Sequence, residues 1–546
     1  MRFLRELATV SVLFTVFAAS CVAREVMPFN DGWRFHLGEI ENVEKTDYQG
    51  DEEWRELDLP HDWSVEQDFD PDMASGTGFL PGGTGWYRKS FTVSQDAEDE
   101  RLAIEFDGIY RHSDVWINGQ HLGHRPFGYI GFEYDLTPHV NFGGENVIAV
   151  RVERENVADS RWYTGSGIYR DVRLIRRHPV HVAPSGIFVT TPRIVEGSAD
   201  VSTRVEVRNT SEEDWEIRAR TRVETLDGKV LSQASDLKEI KAGSDYTLSS
   251  WQKVENPDLW SPENPVLYRL VTELIAEGGE GETLDRVTTD FGFRSFRFDP
   301  DEGFFLNGEN LLIKGLCLHH DGGVVGAAVP ESVLKRRLRL VKEFGGNAVR
   351  CAHTPMAPEF YRLCDELGLL VMDEAFDEWE IGKRKWVKGR NAGEAGRFGY
   401  AEDFEEWAER DLSEMVRRHR NHPSIIMWSL GNEIDYPTDP YVHPESRVDA
   451  DFAKFSTDGK PAAVRLTVVA PRLIAAVKRH DPTRPVTMAL ANVPAANGTG
   501  LAQMLDITGY NYQEQFYEEN SKDFPGRVIY GSEVGRGPRS WWPVRD

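Results

Sequence analysis

At 546 residues the chain is too long for one ordinary domain and predicts three or four. Hydrophobic residues at 40% and aromatic residues at 11% suffice for several packed cores, and 28% charged residues is ordinary for a soluble protein. A formal net charge of −27 argues against nucleic acid or an anionic membrane as partner.

The N-terminus reads as an export signal over residues 1–23. Arg2 and Arg5 precede the apolar run Leu7 to Ala19, which is too short to span a bilayer. Ala18-Ala19-Ser20-Cys21 also approximates a lipoprotein cleavage box, so a lipid anchor at Cys21 is the alternative to free release into the periplasm or medium. No later stretch is apolar enough for a transmembrane helix. Cys317, Cys351 and Cys364 lack zinc or redox spacing and are expected as small buried residues, without disulfides.

Residues 25–177 read as all-β. Leu102 to Phe106, Asp114 to Ile117 and Asn146 to Val150 are short strand-like runs, and Asn118-Gly119 is a strong hairpin signal because both residues tolerate positive φ. A second β domain is predicted over 180–295, where Val201 to Asn209 and Trp215 to Glu224 alternate apolar and polar residues. Asn307-Gly308 predicts a hairpin leading into the third region.

From residue 296 to 546 the pattern alternates strand and helix, as parallel βα units do. Strands are predicted at Leu311–Lys314, Ala348–Arg350, Leu369–Met372, Ile425–Leu430, Val486–Ala489, Ile507–Tyr510 and Val528–Tyr530. Helices are predicted over Ser332–Phe344, Pro358–Leu367, Glu402–His419 and Val464–His480. Seven strands are one short of a closed (β/α)8 TIM-type barrel. The expectation is therefore a truncated product, with unpaired strand edges that leave the barrel poorly folded.

Most of the predicted strands end in polar residues. His319-His320-Asp321 follows the first, Arg350 to His353 the second, Asp373-Glu374 the third and Asn432-Glu433 the fourth. Asn511-Tyr512 follows the sixth and Glu533 the seventh. In a parallel barrel, chemistry sits at the carboxyl ends of the strands. Two strand-end glutamates ~5 Å apart across the mouth would be an acid/base and nucleophile pair for retaining glycoside hydrolysis.

Trp428-Ser429-Leu430-Gly431-Asn432-Glu433 and Val528-Ile529-Tyr530-Gly531-Ser532-Glu533 resemble the two glutamate motifs of the family 2 retaining glycoside hydrolases. Leu59-Pro60-His61-Asp62-Trp63, Gly85-Trp86-Tyr87-Arg88 and Arg161 to Arg170 resemble that family's jelly-roll sugar-binding domain, and Leu259 to Tyr268 its immunoglobulin-like middle domain. The resemblance implies Glu433 as acid/base and Glu533 as nucleophile. Arg350 and Tyr512 would support the nucleophile, with Tyr510 competing for the second place. His353 and Asn432 would hold sugar hydroxyls and Trp428 the pocket floor. Asp373 is read as an ion-pair partner of Arg350. Arg161 stands where some members carry a sugar-binding Asp, and Trp162 and Tyr163 are read as packing between domains.

No cofactor or metal is expected to be required. Phe376 to Glu380 lacks the His of a family Mg²⁺ site, although Glu378 and Glu380 leave room for a weak divalent cation site. The implied function is an exported exo-acting β-galactosidase. β-Glucuronidase and β-mannosidase are the rivals within the family, and a non-catalytic carbohydrate-binding remnant is the rival of another class. Oligomeric state is not legible.

Overall fold

The computed structural model describes residues 24–155, 157–277, 281–389, 398–436 and 462–534. The predicted signal segment and Cys21 lie outside these residues. Among the described residues no helix is long and apolar enough to cross a membrane.

The first region is a sandwich of a six-stranded and a four-stranded antiparallel sheet. Its core centres on Trp33, Trp63, Tyr87 and Phe106. Asn118 and Gly119 adopt φ of 49° and 80° between the paired strands Ser113–Ile117 and Gln120–Arg125, the two-residue turn their chemistry favours. The second region packs a three-stranded sheet on a four-stranded one, and in Ser198–Asn209 alternate residues face the core as Val201, Val205 and Val207.

Among the described residues the third region is one parallel sheet of seven strands in sequential order. They are β1 (Gly315–Leu318), β2 (Ala348–Cys351), β3 (Leu370–Glu374), β4 (Ile425–Asn432), β5 (Val486–Leu490), β6 (Thr508–Asn511) and β7 (Ile529–Glu533). Helices α1 (Glu331–Glu343), α2 (Pro358–Leu367), α3 (Phe404–His419), α4 (Leu466–His480), α5 (Val493–Thr499) and α6 (Tyr517–Asp523) lie between them in sequence. The sheet curls into a nearly closed barrel: Cys317 Sγ on β1 lies 3.5 Å from Ser532 O on β7.

The first barrel strand lies at 315–318, not at the predicted 311–314. Leu311 and Ile313 instead pack with Trp260, Phe304 and Leu306 beneath the barrel, where the hairpin Phe296–Asp299 and Gly303–Leu306 meets Ala348, Leu370 and Ile426. A local apolar run cannot distinguish a barrel strand from a plug beneath it. Asn307-Gly308 makes the predicted turn, with φ of 54° and 88°. Cys351 and Cys364 are buried, but Cys317 on the edge strand is exposed, against expectation.

Candidate active site

Strand ends at the carboxyl side of the barrel and one loop of the first sandwich enclose a cavity of about 640 Å³. Glu433, Glu533, Asn432, His353, Tyr512, His319, Arg161 and Trp162 line it. The chain leaves β4 and β6 sharply: Glu433 and Tyr512 have φ of 47° and 54°. A left-handed backbone at a residue other than glycine costs energy, and such strain gathers where a side chain must be aimed.

Glu533 is held by three groups. Arg350 Nη1 donates to its Oε1 at 2.5 Å, and the Tyr512 hydroxyl donates to its Oε2 at 2.5 Å. His353 Nε2 stands 3.7 Å from Oε1. Burial would raise the Glu533 carboxyl, but Arg350, His353 and the Tyr512 hydroxyl outweigh it and hold it below the ordinary glutamate value. Tyr510 is buried instead, its hydroxyl accepting from Asn520 at 3.2 Å.

Glu433 has different company. Arg161 Nη1 donates to its Oε2 at 3.2 Å, and Asn511 Nδ2 approaches its Oε1 at 3.4 Å. Arg161 also donates to Asp377 Oδ1 at 2.7 Å, an oxygen that receives Asn432 Nδ2 at 2.8 Å and Lys383 Nζ at 3.1 Å. Burial works against an ionised Asp377, yet Arg161, Lys383 and His353 hold its carboxyl far below the usual range. The Asn432 amide is fixed at both ends, its Oδ1 accepting from Arg350 at 2.8 Å and Asn511 at 3.0 Å. Burial, followed by the Arg350 charge, pushes the His353 imidazole well down.

Two sequence-based assignments are corrected by one register. Asp373 pairs with Trp428 across β3 and β4, and Glu374 with Ser429. Register partners share a face and neighbours along a strand do not. Asp373 and Trp428 therefore face the helix layer. Asp373 accepts from the Tyr361 hydroxyl at 2.7 Å and meets His419 Nδ1 at 2.8 Å, while the Trp428 indole donates to Asp481 at 3.0 Å. Glu374 is the partner of Arg350, at 2.8 and 2.9 Å, and also accepts from Ser429 Oγ at 2.8 Å. Trp428 is thus no pocket floor, and Asp373 no partner of Arg350.

The two acidic residues considered for a weak cation site are engaged by cations of the chain: Glu378 by Lys385, and Glu380 by Arg465 at 2.8 Å. Among the described residues no group of three or more His, Cys, Asp or Glu side chains is arranged to hold a metal ion. His319 lines the cavity, whereas His320 points away and meets Thr164 O at 3.1 Å. Of the pair read as packing, Tyr163 donates to Asp62 at 2.6 Å, but Trp162 forms cavity wall. Sequence reasoning named Asn511 as a strand end without giving it a role, and missed Asp377 and Trp386, which also lines the cavity. Asp377 lies three residues beyond the end of β3, a position the strand-end argument did not reach.

Three domain models of one family match in tandem: "Glycosyl hydrolases family 2, sugar binding domain" over residues 70–178, "Glycosyl hydrolases family 2" over 180–294, and the family's TIM barrel domain over 300–523. The chain belongs to glycoside hydrolase family 2. Among family 2 relatives, a β-galactosidase of Bacteroides ovatus is 39% identical over 521 residues, covering 93% of this chain and 59% of that protein. A solved family 2 structure from Bacteroides cellulosilyticus superposes with a TM-score of 0.80 at 36% identity, covering 93% of this chain and 63% of the other. A β-glucuronidase structure from Bacteroides uniformis gives 0.77 at 30%, covering 94% and 59%. The chain thus spans about three-fifths of the length of these relatives.

Proposed function

We propose that this protein is an exported, retaining exo-glycosidase that removes terminal β-linked galactose from oligo- or polysaccharides. One observation carries the reading: two glutamates open on the same cavity with separate partners, Glu533 bonded to Arg350 and Tyr512 and Glu433 to Arg161 and Asn511. Glu533, kept ionised by Arg350 and Tyr512, is suited to attack the anomeric carbon. Glu433 is suited to protonate the departing glycosidic oxygen.

The attack forms a bond from a Glu533 oxygen to the anomeric carbon as the bond to the aglycone oxygen breaks and the Glu433 proton moves to that oxygen. In the second half, water gives a proton to Glu433 and its oxygen to the anomeric carbon, releasing Glu533. Two inversions leave the β configuration. His353 presents Nε2 to the cavity and Trp162 a flat apolar wall, contacts suited to a sugar ring.

A neutral sugar is favoured over a glucuronide because, among the described residues, Arg161 is the guanidinium lining the cavity and is already bonded to Asp377 and Glu433. The 39% identity to a β-galactosidase supports the same choice. Export rests on the N-terminal segment, Arg2 and Arg5 followed by Leu7 to Ala19. A panel of aryl β-galactoside, β-glucuronide and β-mannoside substrates tests the reading. Turnover of the galactoside is expected to dominate, dominance of the glucuronide would transfer the assignment, and sugar binding without turnover of any would overturn it.

A further inference from the structure

A second cavity, of about 440 Å³, lies where all three domains meet. Arg101, Arg125 and Arg177 enter it from the first sandwich, Arg208 from the second, and Arg410, Arg417 and Arg418 from α3. Because α3 precedes β4, its C-terminal turns lie at the amino end of the barrel strands, away from the catalytic mouth. Seven guanidinium groups around one cavity are unexpected in a chain of net charge −27. Among the described residues three carboxylates line it, Glu133, Asp135 and Glu414.

Part of this charge holds the domains together. Arg177 grips Glu133 at 3.0 and 2.5 Å, Arg125 reaches Glu414 at 3.2 Å, and Arg417 binds Glu206 outside the lining at 2.7 Å. Other guanidinium groups are matched only in part. Among the described residues Arg101 bonds neutral oxygens, at Thr210 and the Glu100 carbonyl. Arg208 spends Nε and Nη2 on Asp245, and Arg410 spends only Nε, on Glu414. Arg125 Nε and Arg177 Nε are buried without a hydrogen-bond partner among the described residues. Among the described residues, Arg208 Nη1 and both Nη groups of Arg410 are thus left free to meet a ligand.

We propose that this cavity binds an acidic saccharide, held through sulfate or carboxylate groups by the unmatched guanidinium donors. Planar guanidinium forks suit oxyanions. The volume falls in the ~300–1,000 Å³ range of small-molecule sites and exceeds what a single anion fills. Glu133 and Asp135 beside the arginines supply acceptors for sugar hydroxyls, and Phe132 an apolar face. The site would hold a charged stretch of polysaccharide away from the cavity of Glu433 and Glu533.

Calorimetric titration of the whole protein at constant ionic strength tests this, with a sulfated disaccharide, a uronic acid disaccharide, their neutral parent and inorganic sulfate. The comparison variant is Arg208→Gln/Arg410→Gln, whose side chains are 43% and 52% exposed, so the fold tolerates both changes. At least one acidic disaccharide is expected to bind saturably and more tightly than inorganic sulfate or the neutral parent. The variant should lose tenfold or more in affinity while hydrolysing an aryl glycoside at the wild-type rate. Which acidic disaccharide binds identifies the anionic group. Equal affinity in the variant, which would place the ligand elsewhere, or binding of inorganic sulfate alone, would overturn the proposal.

Discussion

At Glu533 a guanidinium, a phenol and an imidazole act together against burial, so the carboxyl ionises below the ordinary glutamate value of about 4.3. A nucleophile with a lowered pKa keeps its charge as pH falls, and the acid limb of kcat/KM is therefore expected below that value. Tyr512→Phe removes the hydroxyl that donates to Oε2, and Tyr512 is 46% exposed, so solvent compensates in part. The limb should move upward, with kcat reduced; a stationary limb would show that the hydroxyl does not tune the carboxylate. Glu533→Ala should abolish turnover and recover partly with azide as an α-glycosyl azide, because a small anion can replace the lost carboxylate on the same face. A β-azide would assign the roles the other way round. Glu433→Gln should slow glycosylation far more for aryl glycosides with poor leaving groups than with good ones, since only the former need the proton. Equal losses in pre-steady-state measurements would remove Glu433 as the acid.

Helix α3 carries a buried carboxylate on its inner face. Asp411 is 2% exposed and accepts from the Tyr400 hydroxyl at 2.6 Å, and burial pushes its pKa up to about 7. In the unfolded chain it would ionise near 3.9. Between those values the folded protein holds a proton that the unfolded chain has released. Stability is therefore expected to fall as pH rises from about 4 to about 7, by up to about 4 kcal/mol from this group. Asp411→Asn keeps an acceptor for Tyr400 and removes the titration. It should flatten this part of the stability profile and raise stability at pH 8, as measured by denaturant unfolding. An unchanged slope would place the pH dependence on other groups.

For the molecule as a whole, the catalytic cavity depends on how the first sandwich docks on the barrel. Asp62 is the joint. Its Oδ1 accepts from Ser64 N at 3.1 Å and Ser166 N at 2.9 Å, and its Oδ2 from the Tyr163 hydroxyl at 2.6 Å and, across the domain boundary, from Ala327 N at 2.8 Å. Tyr163 sits two residues from Arg161, so the joint also fixes the loop that meets Glu433. Asp62→Ala leaves buried donors unpaired, at a cost of roughly 2–5 kcal/mol. The variant is expected to melt earlier and to show a raised KM, with kcat less affected. A lower melting temperature with unchanged KM would separate domain docking from the shape of the cavity.

The local patterns of the sequence determined a large part of this protein. Pro358–Leu367 is a helix over those same residues, with proline opening it and Gly368 closing it at φ of 69°. The apolar run from Ile425 ends in Asn432-Glu433, and Glu433 and Glu533 share a cavity, because strand ends in a parallel barrel converge on one rim. These features follow from periodicity and chain direction, which a short window of residues contains. Other features were decided only by tertiary structure. Whether Asp373 or Glu374 faces Arg350 depends on a one-residue phase, and the polarity of two adjacent carboxylates gives no preference for either face. The same phase turned Trp428 from the pocket to the helix layer. Arg161 reaches Glu433 across 272 positions of sequence, and the junction arginines come from three separate domains. Such contacts exist only once the domains have docked, and docking is set by the shape and charge of whole surfaces rather than by any local run.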